Sequence, residues 1–529
     1  MHNLSRRQAL QLVALGLSGT GASLMRSALA APAQLSETAA AQAAGVAPAD
    51  PLIYLSAAEL LLRFRRRELS PVKVLKAQIA RAREVEPLVN AFTYEHPEMA
   101  LAAAQASEAR YRRGEPLPLD GLTVAIKDEY DRKGWITTAG SRVLKDNVAT
   151  ANHPAVDKLL KAGAVIHAQT TVPEMYFAAV TWTDLWGVTR NPWNLAFTVG
   201  GSSGGSGAAL AAGMTTLATG SDMGGSTRIP CAFNGLYGFK PPYGRNAPPP
   251  SSAFLLPSTE GPMARSFEGM VRLQNVMSGP APYTVTSLRP KLDLPLSYPS
   301  IRGMRIAYTL DQGWAQIDAD TRTNTGEALR ILERQGAVIE PVDLKLGVGS
   351  SEIRATLVNA LLSGGFGEDL KQLSAYGDQL TTYGRYFAGI AASAMGTVQA
   401  QQAEEMISTL YARVQDAVFL KGYEAVLMPT LATSAVAADF DPTRDRLSIN
   451  GSDVDPHVGW LLTALWNLLN WSPVVVVPTR VNRQKVPTDL QIATRTYDDL
   501  TAMRIAHAYS EAAPALFSGD RFPRFLSAG

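Results

Sequence analysis

The spacing of apolar residues predicts two helices early in the chain, one from Ser70-Pro71 to about Val85 and one from about Pro97 to Arg113. Ser70 is a typical N-cap residue. Pro71 suits the first helical position, because the N–H that proline lacks would have no partner there. A further helix of this kind is predicted near the end of the chain, over residues 498–513.

Short, continuous apolar runs at residues 122–126 and 474–477 predict buried strands. Three further segments repeat one order, a helical pattern, a glycine and an apolar strand, and they cover residues 159–166, 332–339 and 419–427. Glycine is favoured directly after a helix, where the backbone turns left-handed. The alternation predicts an α/β fold, with a mixed, mostly parallel β-sheet covered by helices on both faces.

The first thirty residues have the features of an export signal. Arg6-Arg7 precedes an apolar run, and a small-x-small cleavage site ends at Ala30. A run of this length is too short to span a bilayer stably. We therefore expect a twin-arginine signal cut after Ala30 and a periplasmic or secreted protein. The alternative is a disordered N-terminus with a chance pair of arginines.

Beyond the signal, the sequence divides into a leader and one large domain. Residues 31–50 are rich in Ala and Pro and are expected to be a flexible leader. Residues 51–529 would form the folded domain. Residues 350–420 carry helical patterns with little strand signal, so we expect a helical cap there.

Composition excludes several classes of protein. The 529 residues are 46% hydrophobic, which excludes disorder as the main state. Their formal net charge of +2 provides no positive field to attract a nucleic acid. Cys231 is the single cysteine, and no two of the six histidines lie four residues apart, so we expect no metal and no cofactor.

A run of eight Gly and Ser residues, 200–207, leads into an Ala-rich helix and then an apolar strand, which favours an ordered loop over a flexible linker. A phosphate-binding loop is excluded because no Gly-Lys-Ser/Thr follows. The run also fits G-x-S-x-G with Ser203 as nucleophile, but an acid and a histidine would then be needed downstream. Ser70 and Lys73 fit S-x-x-K, although helix capping explains Ser70 better.

Lys127 and Ser226 are the residues best placed for chemistry. A serine needs a base to become a nucleophile, and a lysine kept neutral by burial can serve. Lys127 ends the apolar strand, as that role requires. Taken alone, it is equally a strand-end lysine paired with a carboxylate. Ser226 follows Gly224-Gly225, where backbone N–H groups could hold an oxyanion, although a lone Gly-Gly-Ser is more often a helix cap.

Three segments together resemble the amidase signature family. They are residues 119–128 (LDGLTVAIKD), 200–206 (GGSSGGS) and 222–230 (DMGGSTRIP). The resemblance extends over about residues 52–515, and three motifs in order make it specific. It implies the amidase signature fold and a catalytic triad of Ser, cis-Ser and Lys.

The resemblance assigns roles to individual residues. Ser226 matches the nucleophile, Ser202 the bridging serine in a cis peptide, and Lys127 the base. The oxyanion donors match the backbone N–H groups of four consecutive residues, Met223, Gly224, Gly225 and Ser226. Ser203 matches a supporting serine, and Asp222 with Arg228 resembles a structural pair that fixes the nucleophile loop, although a plain salt bridge is an equal alternative.

The implied function is hydrolysis of a carboxylic amide C–N bond through an acyl-enzyme on Ser226. An esterase or acyl transferase with the same triad is one alternative. An amidotransferase A-type subunit is another, although the export signal argues against it. A binding protein with a dead fold would not need the intact triad. The expected partner is a small-molecule amide, with no nucleic acid and no stable membrane insertion, and a homodimer is left open. Six aromatic residues suggest an apolar or aromatic substrate, although core packing explains most of them equally: Trp182, Trp186, Tyr383, Tyr386, Trp466 and Trp471.

Overall fold

A computed structural model describes residues 51–362, 365–393 and 396–526. The expected export signal and leader, residues 1–50, lie outside this described part of the chain. Within it, eleven strands form one sheet, and four short strands form two separate hairpins.

The large sheet runs in the order β1-β3-β2-β6-β8-β7-β14-β15-β11-β9-β10, and the hairpins are β4-β5 and β12-β13. In chain order the strands are β1 (Phe92–Glu95), β2 (Thr123–Lys127), β3 (Val165–Thr170), β4 (Trp182–Thr183), β5 (Gly187–Val188), β6 (Leu217–Asp222), β7 (Tyr237–Lys240), β8 (Thr259–Ala264), β9 (Arg305–Tyr308), β10 (Val338–Pro341), β11 (Ala425–Pro429), β12 (Leu447–Ile449), β13 (Ser452–Val454), β14 (Val474–Val481) and β15 (Pro487–Thr494).

The mixed sheet is confirmed, but its expected balance is corrected, because six of its ten neighbouring pairs are antiparallel and four are parallel. The three strands that follow a helix and a glycine, β3, β10 and β11, each have a parallel neighbour. The antiparallel pairs lie mostly in the middle, where strands such as β14 and β15 are joined by a short turn. The three repeated segments therefore describe the two ends of the sheet and not its centre.

Fourteen α-helices accompany the sheet in the described part of the chain. They are α1 (Ala57–Arg65), α2 (Pro71–Val89), α3 (Pro97–Arg113), α4 (Pro154–Lys161), α5 (Gly204–Ala211), α6 (Arg228–Asn234), α7 (Phe267–Met277), α8 (Ala319–Arg334), α9 (Ser350–Leu362), α10 (Gly365–Leu373), α11 (Thr382–Ala392), α12 (Thr397–Ala417), α13 (Ala464–Leu468) and α14 (Asp499–Ala512). Helices α9 to α12 occupy the segment where a helical cap was expected.

Local signals in the sequence explain how several elements begin. The Ser70 hydroxyl accepts a hydrogen bond from the N–H of Val72, at 3.1 Å, and so caps α2. Strand β2 is buried along its whole length, as its apolar run predicts, and β14 starts at Val474 as expected.

Helices cover both faces of the sheet, and β2 shows how the two faces divide. Val124 and Ile126 pack into a core with α7, whereas Ala125 belongs to a second core that includes the alanines of α5. Alternate residues of a strand point to opposite faces. Lys127 therefore points to the face of Ala125, where α5 and the Gly/Ser loop that precedes it lie.

Among the described residues, no helix is both long and apolar enough to cross a membrane. The same residues contain no group of three or more His, Cys, Asp or Glu side chains placed to hold a metal ion.

Candidate active site

Lys127 lies at the end of β2 with its side chain fully buried. Its ammonium nitrogen is 2.8 Å from the Ser202 hydroxyl, 2.7 Å from the Ser221 hydroxyl and 3.0 Å from a carboxylate oxygen of Glu129. Glu129 also accepts a hydrogen bond from Ser221, at 2.5 Å. The lysine thus contacts two hydroxyls and one carboxylate.

The charge of Lys127 depends on two opposed effects. Burial lowers the pKa of the lysine, because the charged form loses its hydration, while the Glu129 carboxylate raises it. Burial prevails, and the pKa of Lys127 lies below its ordinary value. The two sequence interpretations of Lys127 therefore each describe a part of its surroundings, since it faces Ser202 and also has a carboxylate beside it.

Sequence reasoning assigned no role to Ser221 or Glu129. Both stand next to residues that it did select, Glu129 two positions after Lys127 and Ser221 directly before Asp222. Nothing in the local pattern indicates that their side chains turn toward the same buried nitrogen, because their segments meet only in the folded sheet.

Ser202 lies in the Gly/Ser loop before α5, and the peptide bond between Gly201 and Ser202 is cis. A Cβ at Gly201 would lie 2.5 Å from the carbonyl oxygen of Ala178, closer than atoms can approach. Glycine is therefore required at position 201, because the loop passes directly against the backbone of residues 178–180.

Ser226 lies in the loop between β6 and α6, on the wall of a cavity, and is only 8% exposed. Ser203 joins this loop to that of Ser202. Its N–H donates to the Ser226 carbonyl, at 3.2 Å, and its hydroxyl accepts from the N–H of Ser221, at 3.3 Å. Ser203 thus contacts both loops, as the expected supporting residue would.

The expected relay has two links, and the structure forms one as a hydrogen bond. Lys127 contacts Ser202, but within residues 51–362, 365–393 and 396–526 no hydrogen bond joins the hydroxyls of Ser202 and Ser226. Hydrogen bonds between catalytic groups are often long in a free enzyme and shorten when substrate binds.

Asp222 and Arg228 are both fully buried and form a two-pronged ion pair, at 2.9 Å for each prong. Burial acts to raise the pKa of Asp222, but the charge and hydrogen bonds of Arg228 prevail, and the pKa lies below its usual value. Arg228 also donates to the side-chain oxygens of Asn467 and Gln491, each at 2.7 Å. The pair therefore links the nucleophile loop to α13 and β15, which is more than a plain surface salt bridge would do.

The structure revises the expected set of oxyanion donors. The N–H of Gly225 donates to Asp222, at 2.8 Å, so it is already occupied. In the described part of the chain, the N–H groups of Met223, Gly224 and Ser226 have no such partner. Three of the four expected donors are therefore free to hold an oxyanion, and Gly225 instead shapes the loop, since a Cβ there would lie 2.3 Å from the Thr463 hydroxyl.

The cavity at Ser226 encloses about 850 Å³ of space, including its opening to solvent. Most of its wall is apolar or aromatic, and the wall residues come from four separated stretches, 176–180, 223–229, 354–387 and 440–464. None of the six aromatic residues singled out in the sequence lines it. Tyr383 and Trp466 are instead fully buried in the core, and the aromatic wall is formed by Tyr176, Phe177, Phe387, Phe440 and Trp460.

Comparison with known proteins agrees with this geometry. A family model described as "Amidase" matches residues 73–503. A glutamyl-tRNA(Gln) amidotransferase subunit from Carboxydothermus hydrogenoformans is 32% identical over 483 residues, which is 87% of this chain and 97% of the relative. The chain belongs to the amidase signature family.

Two solved structures of similar proteins cover nearly the same region. A bacterial aryl acylamidase of the amidase signature family is 28% identical, with a TM-score of 0.81 over 88% of this chain and 97% of its own. A protein described with the evolutionary origins of an s-triazine catabolic enzyme is 26% identical, with a TM-score of 0.75 over 87% of this chain and 100% of its own.

Proposed function

We propose that this protein is an amidase that hydrolyses the C–N bond of a small-molecule amide through an acyl-enzyme on Ser226. The observation that carries the proposal is the buried Lys127 nitrogen, which lies 2.8 Å from the hydroxyl of Ser202 and has a lowered pKa. A buried, neutral amine beside a hydroxyl is the base that a serine nucleophile needs.

In the proposed reaction, neutral Lys127 takes a proton from Ser202 while Ser202 takes the proton of Ser226. The Ser226 oxygen attacks the amide carbonyl, and the free N–H groups of Met223, Gly224 and Ser226 hold the developing oxyanion. The same protons then return to the leaving amine, and the C–N bond breaks. Water, deprotonated by the same route, releases the acid and restores Ser226.

Hydrolysis is favoured here over the amidotransferase reaction named for the relative. The cavity wall is dominated by Phe, Leu, Val and Trp side chains, which suit an apolar or aromatic amide better than the polar side chain of glutamine. The aryl acylamidase, which is similar over nearly the whole domain, also supports an aromatic amide. Ester hydrolysis by the same triad is the second candidate, since an ester does not require a proton on its leaving group.

The proposal includes export. Residues 1–30 carry the arginine pair, the apolar run and the cleavage site in order, so we assign them to a twin-arginine signal and the mature enzyme to the periplasm or the medium. An enzyme that works on charged tRNA would have to stay in the cytosol, so export also argues for a free hydrolase.

The test is a panel of matched amides and esters, assayed with the purified protein and with two variants. Ser226→Ala serves as the blank, and Ser408→Ala, an exposed serine on α12, serves as the matched control. We expect the wild type and the control to release amine from aryl amides while the blank does not. Turnover by the blank at the wild-type rate, or no turnover of any amide by the wild type, would overturn the proposal.

A further inference from the structure

The cavity wall carries few polar side chains, and most of them already have a partner. The Tyr176 hydroxyl donates to the carbonyl of Asp128, at 3.2 Å, and the Trp460 indole N–H donates to that of Pro456, at 3.0 Å. Arg354 forms an ion pair with Asp455, at 3.1 Å. Apart from Ser226 itself, His457 is the remaining polar side chain on this wall.

His457 is held in one orientation. Its backbone N–H donates to the Asp455 carboxylate, at 2.8 Å, which fixes the turn that carries it. Its ring stacks on Tyr386, with centroids 4.9 Å apart and planes 29° apart, and the edge of Phe387 packs against it at 6.0 Å. A ring enclosed by two aromatic side chains keeps the direction in which its nitrogens point.

The Nε2 atom of His457 is buried and has no hydrogen-bond partner among the described residues. The other ring nitrogen, Nδ1, faces the Asp455 carboxylate at 3.8 Å, so the ring proton is best placed on Nδ1. Burial first, and then the positive charge of Arg354, lower the pKa of the ring to about 4. At neutral pH Nε2 is therefore an unpaired hydrogen-bond acceptor on an otherwise apolar wall.

We propose that His457 determines substrate choice by accepting a hydrogen bond from the substrate. The substrate class is then an apolar or aromatic amide that carries a hydrogen-bond donor, a phenolic O–H or an N–H, on the portion that fills the cavity away from the scissile bond. The inference rests on the proposed function, because it names the substrate class of that same site.

The physical reason is the cost of burying an unpaired acceptor. A purely apolar ligand that fills the cavity excludes water and leaves Nε2 without a partner, whereas a ligand with a donor at that place satisfies it. A site built to hydrogen-bond a substrate group discriminates against analogues that lack the group. For one neutral hydrogen bond we expect a preference of about tenfold.

The inference is tested by ligand binding to the full chain carrying Ser226→Ala, so that turnover does not interfere. The probes are 4-hydroxyacetanilide against 4-methoxyacetanilide, and 4-hydroxybenzamide against 4-methoxybenzamide, because the donor can lie on either side of the amide. We expect the hydroxyl compound of at least one pair to bind about tenfold more tightly, as measured by calorimetry.

The variant His457→Phe keeps an aromatic ring between Tyr386 and Phe387 but removes the acceptor, so the preference should disappear. His457→Gln restores an acceptor oxygen and should recover part of the preference. Phe387→Leu is the matched control, because it disturbs the packing of the ring without removing an acceptor and should keep the preference. The thermal midpoint of each variant shows whether it folds.

Equal binding of both members of both pairs, or no measurable binding of any probe, overturns the inference. A preference that survives His457→Phe also overturns it. If the wild type hydrolyses amides and shows no preference, only the inference fails. If the preference depends on His457 but the wild type hydrolyses no amide, the proposed function fails and the binding role of His457 stands.

Discussion

At the scale of single residues, the surroundings of Lys127 decide what the site can do. The lysine contacts Ser202, Ser221 and Glu129, and the last of these favours the charged form that a base must avoid. Burial opposes this effect and prevails. The carboxylate thus sets how far the pKa of the lysine falls, which connects the geometry to the pH at which the enzyme works.

Replacing Glu129 with Gln should shift the acid limb of the kcat/KM profile to lower pH. The carboxylate raises the pKa of Lys127, so its removal lets the lysine lose its proton at lower pH. The measurement is kcat/KM for one aryl amide from about pH 5 to 9, because this profile reports the free enzyme. Glu404→Gln, an exposed change on α12, is the control. An unchanged limb, or a shift upward, would show that Glu129 does not act on the base.

Replacing Lys127 with Met should lower kcat/KM for an amide by about 100- to 10,000-fold, the range typical of losing a general base. Methionine fills a buried site of similar length without a charge, so the loss should not come from unfolding. Lys73→Met, at an exposed position on α2, is the matched control. Turnover by Lys127→Met at the wild-type rate would remove the lysine from the mechanism.

The sequence predicts Lys127, Ser202 and Ser226, because motifs preserve the order and spacing of these residues. It does not predict the role of Glu129, nor that Asp222 occupies the N–H of Gly225. Both facts depend on side-chain directions that arise only when the ends of β2 and β6 lie side by side in the sheet. A pattern along one segment carries no information on such contacts.

At the scale of elements, the middle of the sheet differs from the prediction. The apolar run at 474–477 identifies β14, but β15 is a longer strand of mixed polarity, Pro487–Thr494, and its antiparallel pairing follows from a turn of only five residues, 482–486. A helix–glycine–strand order indicates parallel neighbours, whereas a tight turn between strands leaves a weaker signal. The ends of the sheet were therefore easier to predict than its centre.

Strand β15 also contains a buried carboxyl group, Asp489. Neither of its side-chain oxygens has a hydrogen-bond partner among the described residues, and burial raises the pKa of this group well above its ordinary value. A group whose pKa is higher in the folded than in the unfolded state contributes stability below the unfolded value, near about 4, and that contribution is lost as the pH rises.

Asp489→Asn should therefore raise the thermal midpoint at about pH 8 and have a smaller effect at about pH 5, because asparagine resembles the protonated acid and cannot ionise. Unpaired buried polar groups cost about 1–3 kcal/mol, so a shift of a few degrees is expected. The midpoint is measured by fluorescence during heating. Asp416→Asn on α12 serves as a comparison. A midpoint that falls equally at both pH values would contradict the protonated state.

At the scale of the whole molecule, location follows from the first thirty residues. Replacing Arg6 and Arg7 together with Lys should leave the protein in the cytosolic fraction of a bacterium that has the twin-arginine pathway. The exported wild type should begin at Ala31 when its N-terminus is sequenced. Arg26→Lys is the control, because it lies beyond the pair. Export of the double variant at the wild-type level would argue against this signal.

The cavity is the part of the molecule that the sequence predicts least. Its wall combines residues of four separated stretches, and the conspicuous tryptophans lie elsewhere in the fold. Aromatic side chains pack equally well in a core and on a binding surface, so their identity does not tell which of the two they form.

The triad residues all precede residue 230, whereas much of the cavity wall comes from residues 354–464. The bond-breaking step and the choice of molecule are thus encoded in largely different parts of the gene. A directed search for new substrates can restrict its mutations to the later part, for example around Leu357, Phe387 and Phe440, and leave the earlier part untouched.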